Sequence, residues 1–203
     1  STLRAVEALK IVVVGPKSGE PAYSELCYLP QNAKIISTGN TYAELVENGV
    51  DISEGNVILN LSGNVNTLPM IVTSMPLLFW FHSGTAGLDG VLCPEIVTNE
   101  HIVVTNAKGV FSSSLAEYVM GVCLHYSKNM PRFIEQKKNH HWEKFCVSEL
   151  KGAVMGIIGY GDIGQACGKL GKAFGMKVLG VRRRPELSDD DEFVDKVYNY
   201  ITL

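Results

Sequence analysis

Glycines recur at positions 159, 161 and 164 in the run Gly159-Tyr160-Gly161-Asp162-Ile163-Gly164, a spacing suited to binding a diphosphate. Gly159 permits a tight turn, Gly161 lets the main chain approach a pyrophosphate, and Gly164 lets the following helix pack on the preceding strand. The N–H groups opening that helix, with the positive end of its dipole, then face the phosphates. A turn kept only for packing is the plainer alternative. The flanking sequence argues against it. Residues 153–158 (AVMGII) read as a buried strand, and Ile163, Ala166, Leu170 and Phe174 follow at helical spacing. Gly175 stops the helix, and residues 176–181 (MKVLGV) read as the next strand. About 20 residues after such a turn, an Asp or Glu holds the adenosine ribose. Here the strand ends in Val181-Arg182-Arg183-Arg184. Arginine accepts no hydrogen bond from a ribose hydroxyl but pairs well with a phosphate. Arg182 and Arg183 therefore predict NADP(H) over NAD(H), against the alternative of a solvated strand end.

The other reactive side chains suggest less. Cys27, Cys93, Cys123, Cys146 and Cys167 are scattered, without metal-type spacing or a CxxC pair, and read as reduced, packed thiols of a reducing compartment. No metal site is expected. Of the histidines, His125 falls on a helix and His140-His141 on its polar tail, where solvated or packed roles are the rule. His82 precedes the small-residue loop Ser83-Gly84-Thr85-Ala86-Gly87, but no carboxylate is evident to orient it. No catalytic residue is assigned. A net charge of -3 over 203 residues argues against nucleic-acid binding, which needs a basic stripe. No apolar run approaches the roughly 20 residues that span a bilayer. The chain starts at Ser1, which fits a processed mature protein, one that has lost an organelle leader, or a recombinant product. An intracellular protein, soluble or peripherally associated, is expected, with the compartment open.

These residues must be carried by ordered elements. Residues 10–14 (KIVVV), 33–37 (AKIIS), 56–61 (NVILNL), 77–82 (LLFWFH) and 102–105 (IVVT) are continuous apolar runs ended by turn residues. Continuous rather than alternating runs predict strands covered by helices on both faces, hence a parallel α/β layer. Ser62-Gly63-Asn64 closes the third run. Thr41 is an expected N-cap, with Glu44 completing a capping box for a helix over 42–47. Ser112-Ser113-Ser114 offer caps for a long helix to about Lys128, resuming after Met130-Pro131 as far as Asn139. The expected organisation is a flavodoxin-like unit over 1–108, a bridging helical segment over 109–150, and an incomplete Rossmann unit over 151–203.

Taken together, Thr85-Ala86-Gly87-Leu88-Asp89, Thr105-Asn106-Ala107-Lys108-Gly109-Val110, Ser114-Leu115-Ala116-Glu117, Leu150-Lys151-Gly152, the glycine turn and Phe174-Gly175-Met176-Lys177-Val178 resemble a known family. It is the D-isomer-specific 2-hydroxyacid dehydrogenases, which include glyoxylate/hydroxypyruvate reductases and phosphoglycerate dehydrogenases. The resemblance covers nearly the whole chain and is weakest before about residue 75. It implies a substrate lobe and a Rossmann cofactor lobe joined by long helices that also build a homodimer. By position, Ala86 and Gly87 match the loop whose backbone N–H groups hold the substrate carboxylate. A small-residue loop leaving the C-terminal end of a strand has donors to offer an anion, although an ordinary turn would look the same. The resemblance also implies an arginine that grips substrate and a glutamate paired with an acid/base histidine. All three belong to the later cofactor lobe, beyond the possible strand at 194–198 (VDKVY).

Three readings follow. The chain belongs to an NADP(H)-dependent reductase of small 2-oxo acids and is truncated within the cofactor lobe, so that it does not catalyse alone. Or it is a non-catalytic scaffold or accessory subunit, its unfinished sheet covered by self-association or a larger protein assembly. Or it retains nucleotide binding alone, as a regulatory module.

Overall fold

The computed structural model of the protein describes residues 8–15, 28–61 and 64–201, so Ser62 and Gly63 of the expected third turn, and Cys27, lie outside the described residues. The chain divides into two compact units, Ser1–Lys108 and Gly109–Leu203.

The first unit holds a parallel sheet of β1 (Leu9–Val14), β2 (Ala33–Gly39), β3 (Val57–Asn60), β4 (Trp80–Ser83) and β5 (Val103–Asn106). Their order, β2-β1-β3-β4-β5, is that of a flavodoxin-like sheet. The continuous apolar run of β1 works as expected. Val12 and Val14 pack with Ile58 and Phe81 against Leu45, Ile71 and Ile96, while Ile11 and Val13 join Val57 in a second cluster. Helix α1 (Tyr42–Leu45) starts at Thr41, whose hydroxyl accepts the Glu44 N–H at 3.2 Å. The Glu44 carboxylate returns to the N–H of Asn40, not of Thr41, at 2.8 Å. The helix is shorter than the expected 42–47 and gives way to a 3-10 turn at Glu47–Gly49.

One expectation needs correction here, and one helix was not expected. The run 77–82 is not all strand: β4 begins at Trp80, and Leu77 is exposed in the preceding turn. Before that turn lies α2 (Leu68–Thr73), which the sequence reading passed over. LPMIVT is a short apolar run, and periodicity cannot tell such a run from a strand. Among the described residues of this unit the remaining α-helix is α3 (Pro94–Val97).

The second unit opens with α4 (Ser112–Ser127) and α5 (Met130–Lys138), followed by β6 (Val154–Ile158), α6 (Asp162–Ala173), β7 (Lys177–Arg182) and β8 (Lys196–Asn199). Phe111, not a serine, is the N-cap of α4 and makes no side-chain cap bond; Ser112, Ser113 and Ser114 fill the first turn instead. Asn129, left-handed at φ 51°, separates α4 from α5, whose first turn contains Pro131. The three strands are parallel in the order β6-β7-β8, one mononucleotide-binding half of a Rossmann sheet. Met120 of α4, Met155 and Met176 form its core cluster.

Burial, expected of the strand AVMGII, holds only in part for β6 among the described residues. Met155 is buried, but Val154 is 59% and Ile158 90% exposed, and a Cβ on Gly156 would meet nothing within 4 Å. Apolarity predicts a wish for burial. Whether a layer is there to satisfy it depends on other elements. Among the described residues no helix is long and apolar enough to cross a membrane.

Candidate functional site

The glycine turn sits between β6 and α6. Gly159, at φ 94°, reverses the chain, and its N–H and that of Tyr160 both donate to the Val181 carbonyl at 2.9 Å, fastening the turn to β7. Gly161 caps α6, and its carbonyl accepts the Gln165 N–H at 2.8 Å. The N–H group of Ile163, an exposed residue, precedes the first intrahelical bond, as at any helix start. The glycines divide the work. A Cβ on Gly164 would stand 2.6 Å from the Gly159 carbonyl oxygen, so this glycine serves packing. One on Gly161 would meet nothing within 4 Å, so that side is open to a ligand.

The Tyr160 side chain turns inward from the turn. Its ring is fully buried. It fills the room left by two missing side chains: a Cβ on Gly180 would lie 2.9 Å from Tyr160 Cγ, and one on Gly168 2.9 Å from its hydroxyl. That hydroxyl has no partner at ordinary hydrogen-bond geometry. Burial, and then the nearby Asp191 carboxylate, push it far above the usual phenol range.

Arg182, Arg183 and Arg184 line a single concavity of about 660 Å³ with Gly159, Tyr160 and Gly161. They are not equivalent. Arg182 Nη1 donates to Ser188 Oγ at 2.6 Å, and Ser188 is buried in the 3-10 turn Pro185–Ser188. Arg183 and Arg184 are exposed. The carboxylates of Glu186, Asp189, Asp190 and Asp191 line a different hollow, against α6.

In the first unit, Ala86 and Gly87 lie in an exposed loop after β4. The Asn106 side-chain amide donates to the Ala86 carbonyl at 2.6 Å, and the Thr85 hydroxyl donates to the Gly87 carbonyl at 2.9 Å. The buried Ser83 hydroxyl stands 2.9 Å from that of Thr85. His82 Nδ1 is 2.8 Å from Thr105 Oγ1, which also accepts the Trp80 indole N–H at 2.8 Å. Its partner is thus a hydroxyl, and no carboxylate of the described residues orients the ring. His125 packs edge-on to Tyr126, and His141 lies 3.6 Å from Glu143. Among the described residues no group of His, Cys, Asp or Glu could hold a metal, and Cys93, Cys123, Cys146 and Cys167 are free thiols.

Sequence reasoning gave Ser83 and Asn106 no role of their own within the runs that contain them, and passed over Ser188. Asn106 carried a signal, since it ends a strand one connection away from the small-residue loop. Ser188 carried none.

Residues 120–202 match the family described as D-isomer specific 2-hydroxyacid dehydrogenase, NAD binding domain. The D-3-phosphoglycerate dehydrogenase of Methanocaldococcus jannaschii is 35% identical over 180 residues, 83% of this chain and 33% of that protein. The hydroxypyruvate reductase of Thermotoga maritima is 30% identical over 179 residues, 87% of this chain and 58% of that protein. The chain thus spans less than two thirds of the length of these curated relatives. Among solved structures, a D-isomer specific 2-hydroxyacid dehydrogenase family protein from Aeromonas salmonicida superposes with a TM-score of 0.73 at 26% identity. That superposition covers 96% of this chain and 59% of the other.

Proposed function

Because the chain belongs to the D-isomer-specific 2-hydroxyacid dehydrogenase family, we propose that it binds the cofactor and carboxylate of an NADP(H)-dependent reductase of small 2-oxo acids. The observation that carries this is the meeting of the glycine turn and the arginine run on one concavity. The residues fit a dinucleotide: the helix start has N–H groups for the pyrophosphate, and Gly161 leaves room for it. Arg183 is exposed and takes the 2′-phosphate, with Arg184 beside it, while Arg182, tied to Ser188, holds the strand end and adds charge. Ala86 and Gly87 hold the substrate carboxylate through their N–H groups. When bound, the nicotinamide cofactor would supply hydride chemistry for reducing an oxo carbon. No residue of this chain is given the accompanying proton.

Titration of the chain with NADPH and NADH, followed by cofactor fluorescence, tests the reading. A charge-assisted arginine–phosphate pair contributes about 1.5–3 kcal/mol, so NADPH should bind roughly 10- to 100-fold more tightly. Arg183→Ala should remove most of that margin. A clear NADH preference overturns the assignment.

A second reading rests on the open face of β6. A non-catalytic subunit would have Val154 and Ile158 covered by a second copy, as a homodimer, or by a larger protein assembly. Turnover of glyoxylate or hydroxypyruvate with NADPH by this chain would sink that alternative. Insolubility of the isolated chain, relieved by one defined partner, would favour it. The intact mass of the natural protein separates a longer reductase from a short subunit.

A further inference from the structure

Three consecutive carbonyls in the loop after β4 are engaged. Thr85 C=O accepts the Ala107 N–H at 3.3 Å, Ala86 C=O accepts Asn106 Nδ2 at 2.6 Å, and Gly87 C=O accepts the Thr85 hydroxyl at 2.9 Å. The N–H groups of Ala86 and Gly87 donate to nothing among the described residues, and both residues are exposed. A loop normally offers acceptors and donors side by side. Here each carbonyl already holds a donor, while the N–H groups of Ala86 and Gly87 hold no acceptor among the described residues.

Asn106 is held in the orientation this requires. Its Oδ1 lies 3.4 Å from the Lys108 N–H, which leaves Nδ2 as the atom facing the Ala86 carbonyl. The reversed amide would set two oxygens against each other at the same place. Thr85 is likewise committed: with its proton on the Gly87 carbonyl, its oxygen accepts from Ser83, and its own N–H lies 3.4 Å from Ser83 Oγ.

We propose that Asn106 and Thr85 are positioning residues that occupy the carbonyls of the 85–87 loop, so that its free N–H groups select a carboxylate over an ammonium group. A carboxylate is acceptor-only when ionised, and a surface of free donors suits it. A stray carbonyl beside it would repel the anion and attract a cation. This rests on the reading of Ala86 and Gly87 as the carboxylate donors.

The test follows the Ala86 and Gly87 amide signals of the full chain by nitrogen-15 NMR during titration with glyoxylate, whose carboxyl stays ionised throughout. In Asn106→Asp the new carboxylate faces the Ala86 carbonyl, turns it outward, and should weaken binding at least tenfold near pH 7. Towards about pH 5 the carboxyl, its pKa raised by the facing oxygen, takes a proton, donates to that carbonyl, and should restore much of the affinity. A merely structural role predicts no such recovery. Wild-type affinity at both pH values, or equal weakening at both, overturns the proposal. Should that variant fail to fold, Thr85→Val, at an exposed position, should weaken binding at either pH, and unchanged affinity overturns the proposal as well. If glyoxylate moves neither amide signal in the wild type, the carboxylate reading of the loop itself falls.

Discussion

A methyl group at position 164 would collide with the Gly159 carbonyl, whereas one at position 161 would enter empty space. The two glycines should therefore fail in different ways. Gly164→Ala forces α6 away from β6 and should cost about 1–3 kcal/mol of stability, as overpacking does. Urea unfolding measures it. Gly161→Val should leave the unfolding curve near that of the wild type yet abolish NADPH binding, because its side chain takes the space a pyrophosphate needs. Unchanged affinity would count against the site. This difference was legible in the sequence, since the demand for a missing Cβ is local and the spacing announces it. The inequality of the arginines was not. It arises because the 3-10 turn Pro185–Ser188 folds back and brings a buried hydroxyl to Arg182. No pattern in VRRRPELS foretells that return.

Elements were legible where one physical demand dominates. The β-branched run of β1 reads as a buried strand because few other structures hide four consecutive apolar residues. Thr41 reads as a cap because its hydroxyl can replace a missing carbonyl partner, and it does so for the Glu44 N–H. Thr41→Ala should cost about 1 kcal/mol, read from chemical unfolding. Glu44 still holds the Asn40 N–H, so the helix should survive. Elements were misread where demands compete. Three serines resemble caps, yet α4 enters its first turn at Ser112 with Phe111 outside it. LPMIVT suits helix and strand alike, and the turn after α2 displaces the start of β4 to Trp80.

At the scale of the molecule, order along the chain sufficed to expect a parallel flavodoxin-like sheet. The bare face of β6 could not be foreseen from its own residues, because burial is conferred by neighbours. The stability of the second unit should depend on acid pH through Asp195. Its carboxylate accepts from Lys172 Nζ at 2.8 Å and from the Val178 N–H at 2.7 Å, and these bonds, the lysine first, hold its pKa below the ordinary value. A depressed folded pKa means the contribution is complete above the unfolded value, about 3.9, and is lost as pH falls through the folded one. Melting temperature should decline below about pH 4, and Asp195→Asn should flatten that decline; an identical slope would exclude the residue as a cause. Finally, Tyr160, Gly168 and Gly180 share one volume, and so they should evolve as a set. Tyr160→Phe frees part of the space beside Gly168, but alanine at 180 requires a much smaller residue at 160 first. Joint randomisation of the three positions should therefore recover combinations that no sequence of tolerated single changes starting at 180 can reach.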